Sequence, residues 1–172
     1  MSKINKIPDF IGMAEELKSN MFDDAEKMGL DFIQTNFEKE GFMNGSFEAW
    51  AGRKTASSYK LLTVTGTLRN SIRADRNDTQ VIFTADTPYA QIHNEGGIIK
   101  MKRTKKMRGF FWFMFKATGI AKYKWMAISK KPNVVFRIPK RQFMGDSKNF
   151  TERWDRHIVR EILTNFKNIK HK

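Results

Sequence analysis

From Phe10 onward, apolar side chains recur at Phe10, Ala14, Leu17, Met21, Ala25, Met28 and Phe32, in steps of three and four. That spacing is the 3.6-residue period, and it predicts one long amphipathic helix from Pro8 to about Phe37. Pro8 suits a first helical turn and Asp9 the positive helix end. Gly29 interrupts the pattern, and Gly41 and Gly45 mark its stop. Residues 41–60 read as a loop whose Phe42, Phe47 and Trp50 fold back onto the helix. The dense turn signal Asp75-Arg76-Asn77-Asp78 then separates Ser71–Ala74 from the β-rich Gln80–Ala85, which predicts a hairpin. A short helix is expected over Pro88–Glu95, with Thr87 as its N-cap, Gly96-Gly97 as its stop, and Tyr89 and His93 on one face.

Residues 98–133 form an insert with two expected helices, Thr104 to about Ala117 and Tyr123–Ser129. Val134–Ile138, bounded by Pro132 and Pro139, reads as a strand. A final helix is expected from Lys148 to about Phe166, its stripe being Phe150, Trp154, Ile158, Ile162 and Phe166, with Trp154 as a core ring. Residues 168–172 read as a fraying polar tail. The order implies an α+β fold: long terminal helices on one face of a small antiparallel sheet, with a basic, aromatic, helical insert. At 172 residues, one domain spanning 1–172 is expected.

Charge sharpens this picture. The chain carries 32 Lys and Arg against 18 Asp and Glu. Fourteen of the cations lie between Lys100 and Arg141, and no acid occurs between Glu95 and Asp146. Elsewhere cations and acids balance, so the whole excess sits in one stretch. Such a field serves a polyanion, a membrane surface or an acidic partner. Lys100, Lys102, Arg103, Lys105, Lys106 and Arg108 are its leading candidates for contacts with a DNA channel or a protein partner. Within it, Phe110-Phe111-Trp112-Phe113-Met114-Phe115 admits base stacking, but burial in a core or between subunits is the favoured reading. Six apolar residues fall far short of the about 20 a bilayer span needs, so no transmembrane helix is expected, and no membrane stands among the expected partners. The first residues hold no apolar signal-peptide region.

Catalytic chemistry is not in evidence. With no cysteine there is no disulfide, thiolate metal site or thiol nucleophile. Three histidines are present: His171 in the tail, His157 among charged neighbours, and His93 two residues before Glu95. His-x-Glu alone supplies two of the three or four ligands a metal needs, so His93 reads as a partly buried residue capping backbone groups. No nucleophile elbow, Walker loop or dinucleotide fingerprint occurs, and the paired acids Glu15-Glu16 and Asp23-Asp24 suit a solvated helix face. The expectation is no enzyme activity, cofactor or metal.

Three motifs appear in order: Leu62-Thr63-x-Thr65-Gly66-x-Leu68-Arg69-x-Ser71-Ile72, then Pro88-Tyr89-Ala90-x-Ile92-His93-Asn94-x-Gly96-Gly97, then Ile138-Pro139-Lys140-Arg141-x-Phe143-Met144-Gly145. With a terminal helix behind them, they resemble the phage virion morphogenesis family, the tail-completion proteins of Mu-type tailed phages, over roughly residues 47–166. The resemblance implies a structural virion protein of the tail or neck, assembled in the cytoplasm of a bacterial host. It implies a homo-oligomeric ring, hexamer-like or matched to a phage symmetry. The ring would meet other tail or neck proteins and, non-specifically, double-stranded DNA. In this reading Gly66 turns the chain before the hairpin, and Leu68 and Ile72 face the core. Tyr89, Ile92 and His93 pin the short helix to the sheet, Gly96 stops that helix, and Pro139, Phe143 and Gly145 set the start of the last one. The first helix is longer, and the insert larger and more basic, than the shared pattern requires. The rival reading is an independent basic nucleic-acid-binding protein. A nuclease or other enzyme is weaker still.

Overall fold

The buried residues of the first helix lie in its last turns, at Gly29, Ile33, Asn36 and Phe37, rather than along the whole stripe read from Phe10 to Phe32. In the computed structural model, which describes residues 9–53 and 58–169, helix α1 runs over Phe10–Lys39. Asp9 caps it, its Oδ1 accepting from the Gly12 N–H at 3.0 Å. Pro8 and the end of the tail, 170–172, lie outside the described residues. The helix stops at Glu40 in the left-handed region, with φ 53°, and the Glu40 N–H donates to the Asn36 carbonyl. Residues expected as loop instead form a tight hairpin, β1 (Gly41–Asn44) with β2 (Ser46–Ala49), turning on Gly45.

Next come the short helix α2 (Thr67–Asn70) and the expected second hairpin, β3 (Ile72–Arg76) with β4 (Val81–Ala85), in the register Ala74 opposite Phe83. Gly29 of α1 has its reason here. The Phe83 ring lies so close to its Cα that any side chain at 29 would overlap it. The glycine that weakens the helix locally thus lets the hairpin pack on it. Helix α3 spans Ala90–Glu95. Thr87 does not cap it through its side chain: its Oγ1 is buried without a hydrogen-bond partner, and only its carbonyl accepts, from Ala90 N–H.

The insert is bounded by a ribbon. Strand β5 (Gly97–Lys102), unassigned from sequence, pairs antiparallel with β6 (Asn133–Ile138), so Gly97 lies opposite Ile138 and Lys102 opposite Asn133. Between them stand the two expected helices, α4 (Lys105–Thr118) and α5 (Ala121–Ile128). The fold class is α+β, but its strands form three separate two-stranded ribbons rather than one sheet. Helix α6 (Lys148–Ile169) closes the chain antiparallel to α1, through Phe32–Phe150 (5.4 Å between ring centres) and His157 Nε2 with Asp24 Oδ2 (2.8 Å).

Two apolar clusters result. The larger joins Ile33, Phe37, Trp50, Leu61, Leu68, Ile72, Ala90 and Phe143. The smaller, Phe111, Ala127 and Val134 with Met107, Tyr123, Met126 and Phe136, belongs wholly to residues 97–138. This segment is therefore an arm with its own core, joined to the body through adjacent strands. Trp154 belongs to neither cluster. It is half-buried, stacked on His157 at 5.6 Å, and faces an open groove.

Candidate functional site

The three sequence motifs meet at one place in the body. Phe143 is fully buried, 5.1 Å from Phe37, which stands edge-on to Trp50 at 5.5 Å. Leu68 and Ile72 are buried in the same cluster. The backbone around Phe143 is held by side chains from α1, α3 and the residue that follows β2. Asn94 Oδ1 accepts from both the Phe143 and Met144 N–H groups (2.9 and 3.1 Å), Asn36 Nδ2 donates to the Phe143 carbonyl (3.1 Å), and Trp50 Nε1 donates to the Gln142 carbonyl (2.6 Å). Arg141 donates its N–H to the His93 carbonyl (2.8 Å) and its Nε to the Ala51 carbonyl (3.0 Å). A buried, irregular segment must have its polar backbone groups satisfied. The polar partners do that, and sequence reasoning missed the parts played by Asn36 and Asn94, because an asparagine in a helix usually signals surface.

The predicted motif residues divide here. Gly66 and Gly145 hold positive φ (70° and 136°), and Gly66 precedes α2 rather than entering the hairpin directly. Gly96, with φ 75°, sits against Lys140: an added Cβ would lie 2.7 Å from the Lys140 nitrogen. Pro139 is exposed and follows the last residue of β6. The start of the last helix is set by Ser147 rather than by the motif: its Oγ accepts from Phe150 N–H (3.1 Å) and donates to the Met43 carbonyl (2.6 Å). Tyr89 does not pin α3: it is 38% exposed, edge-on to His93 at 5.9 Å, and Ala90 is the buried contact. Nor does the His93 ring cap backbone through Nδ1, which is buried without a partner. Burial, and next the Arg141 charge, hold the His93 pKa below the ordinary 6.5.

The arm carries the charge. Its ribbon turns Ile99, Met101, Val134 and Phe136 toward the helices and Ile98, Lys100, Lys102, Val135 and Arg137 toward solvent. Arg103 is not a free contact. Its Nε donates to the Lys131 carbonyl (2.8 Å) and its guanidinium to the Met126 carbonyl, which ties β5 to the end of α5. Lys105 and Lys106 occupy the first turn of α4, where the helix dipole disfavours cations, and no acid accompanies them. Lys106 lines an apolar groove with Met107, Phe110 and Tyr123, while Arg108 is exposed. Among the described residues every ion pair lies in the body, none with residues 100–141. Of the two forms of burial expected for the aromatic run, in a core or between subunits, the chain's own core supplies little. Phe111 alone is enclosed, and Phe110, Trp112 and Phe113 are exposed. A helix turns six successive side chains through all directions, and only one faces the arm's small core.

Among the described residues, no three His, Asp or Glu side chains lie close enough to hold a metal, and no helix is long and apolar enough to cross a membrane. Neither curated proteins nor solved structures yield a match. The model of the phage virion morphogenesis family matches residues 30–165.

Proposed function

The chain belongs to the phage virion morphogenesis family, and from that premise we propose that it is a non-catalytic ring subunit that completes the tail or joins head to tail. The family match, which covers both the body and the arm, is the observation that carries this reading. The arm gives it physical content. Lys100, Lys102 and Arg137 form an outward cationic face without acids, suited to line a DNA conduit and to meet phosphates without reading bases. Ring interfaces are heterologous and close by rotation.

The deciding experiment is a virion assembled without this protein. Free heads and unjoined or irregular tails are expected, with label on the restored protein at the head–tail joint. Normal virions from such a lysate would overturn the proposal. Nuclease and phosphatase assays with divalent metals should stay at background, and an activity lost in His93→Ala would contradict the non-catalytic role. The cationic block also favours a second reading, an independent nucleic-acid-binding protein. Sequence-specific DNA binding and no virion incorporation would select it.

A further inference from the structure

Two different apolar surfaces are left open by the described residues of one chain. The first is the outer helical face of the arm, where Trp112 is 39% and Phe113 65% exposed. Arg108 and Lys116 stand one helical turn to either side of Trp112, so the exposed indole is flanked by cations. The second is a groove of about 480 Å³ between α1, β4 and α6, lined by Leu17, Met21, Phe22, Val81, Trp154 and Ile158. The two long helices and the second hairpin meet at Phe32, Phe83 and Phe150, and further along α1 and α6 their apolar residues leave this groove open. Beside it, a polar recess sharing Lys18 and Phe22 holds Glu15 and Asp78, neither of them in an ion pair among the described residues.

We propose that the arm of one copy seats in this groove of a second copy, with Trp112 against the apolar lining and Arg108 and Lys116 toward Glu15 and Asp78. Charge selects this occupant. The body, residues 9–99 and 142–169, carries fourteen cations against eighteen acids, whereas residues 100–141 carry fourteen cations and no acid. No residue of the arm lines its own chain's groove, so the contact joins two copies. Because the two surfaces differ, the contact is head-to-tail: each copy still offers a free groove to the next, as ring closure requires. This inference rests on the ring reading above and names the contact that builds the ring.

The absence of cysteine makes the test clean. Glu15→Cys and Lys116→Cys are placed singly and together, and mild oxidation is applied to the purified chain at high micromolar concentration and to virions carrying the double variant. A mixture of the single variants should give a disulfide-linked dimer, and the double variant a ladder of covalent oligomers. Trp112→Asp should weaken self-association by about 30-fold or more, as for a central interface tryptophan, with an unchanged circular dichroism spectrum. Linkage of Lys116→Cys only to itself would overturn the docking, and so would no ladder in either preparation. Micrographs of the same virions judge the ring separately. A ring at the joint without the ladder refutes this contact alone, and no ring refutes both.

Discussion

A single side chain, Asn94, holds two successive backbone N–H groups beside Phe143, a fully buried ring. Removing it leaves both donors without a partner, so Asn94→Ala should lower unfolding free energy by about 1–3 kcal/mol in denaturant titrations. Phe143→Ala, which empties a fully enclosed site, should cost about 3–5 kcal/mol. Trp154→Ala should cost less than that, because half-buried Trp154 borders a groove and lies outside the core where its place in the helical stripe put it. His93 should write itself into the pH dependence of stability. Its folded pKa is lowered, so the unfolded chain binds the proton more readily. The His93 contribution is then complete above the ordinary 6.5 and is lost as pH falls below it. Melting temperatures across that window should fall more steeply for the native chain than for His93→Gln, and equal slopes would refute this. Leu68 and Ile72 were legible as core from their motif, whereas Phe143, expected to set the start of the last helix, is a core ring instead. The parts played by Asn36, Asn94 and Arg103 were not legible, because a polar residue shows its buried role only when the segment it satisfies is in place.

At the scale of elements, periodicity served where a segment was long and had one covered face. Both long helices and the 72–85 hairpin lie where the pattern put them. The misses, β1–β2 and β5, share a cause. Strands of four to six residues broken by Gly, Asn, Ser, Glu or Lys carry little signal of their own. They exist because of partners far along the chain. The β1–β2 turn is fastened to the start of α6, where Asn44 Oδ1 accepts from Lys148 N–H at 3.0 Å and Asn149 accepts from Gly45 N–H. Ser147→Ala should therefore cost about 1–2 kcal/mol, since it removes a helix cap and a tie to Met43 together. The arm makes the opposite prediction. Its small core is its own, and its ends, Gly97 and Ile138, are paired neighbours. Replacing 98–137 with a short turn should leave a body that still melts cooperatively, since closing so short a gap costs little. Loss of cooperative melting in that variant would show that the arm supports the body.

For the whole molecule, the uneven distribution of charge was plain in the sequence, and so was the family resemblance. Which cations are free was not. Arg103 is spent on carbonyls, whereas Lys100, Lys102 and Arg137 share one open face. If that face lines a DNA path, binding should be indifferent to sequence and fall with salt at a log–log slope of about −0.9 per phosphate met. Replacing Lys100 and Lys102 with Gln should reduce that slope by about 2, which titrations at several salt concentrations would measure. The ribbon itself acts as a lever. Six residues at about 3.4 Å each put the helical end of the arm roughly 20 Å from its base. That base is narrow, with Gly96 against Lys140 and one hydrogen bond from Arg141 to His93. A tilt of about 10° there sweeps the far end through roughly 3–4 Å, by the same rise per residue. If each arm is seated in a neighbour's groove as proposed, that sweep carries the neighbour with it, so a tilt at every base would change the width of a ring's bore by moving the bodies themselves.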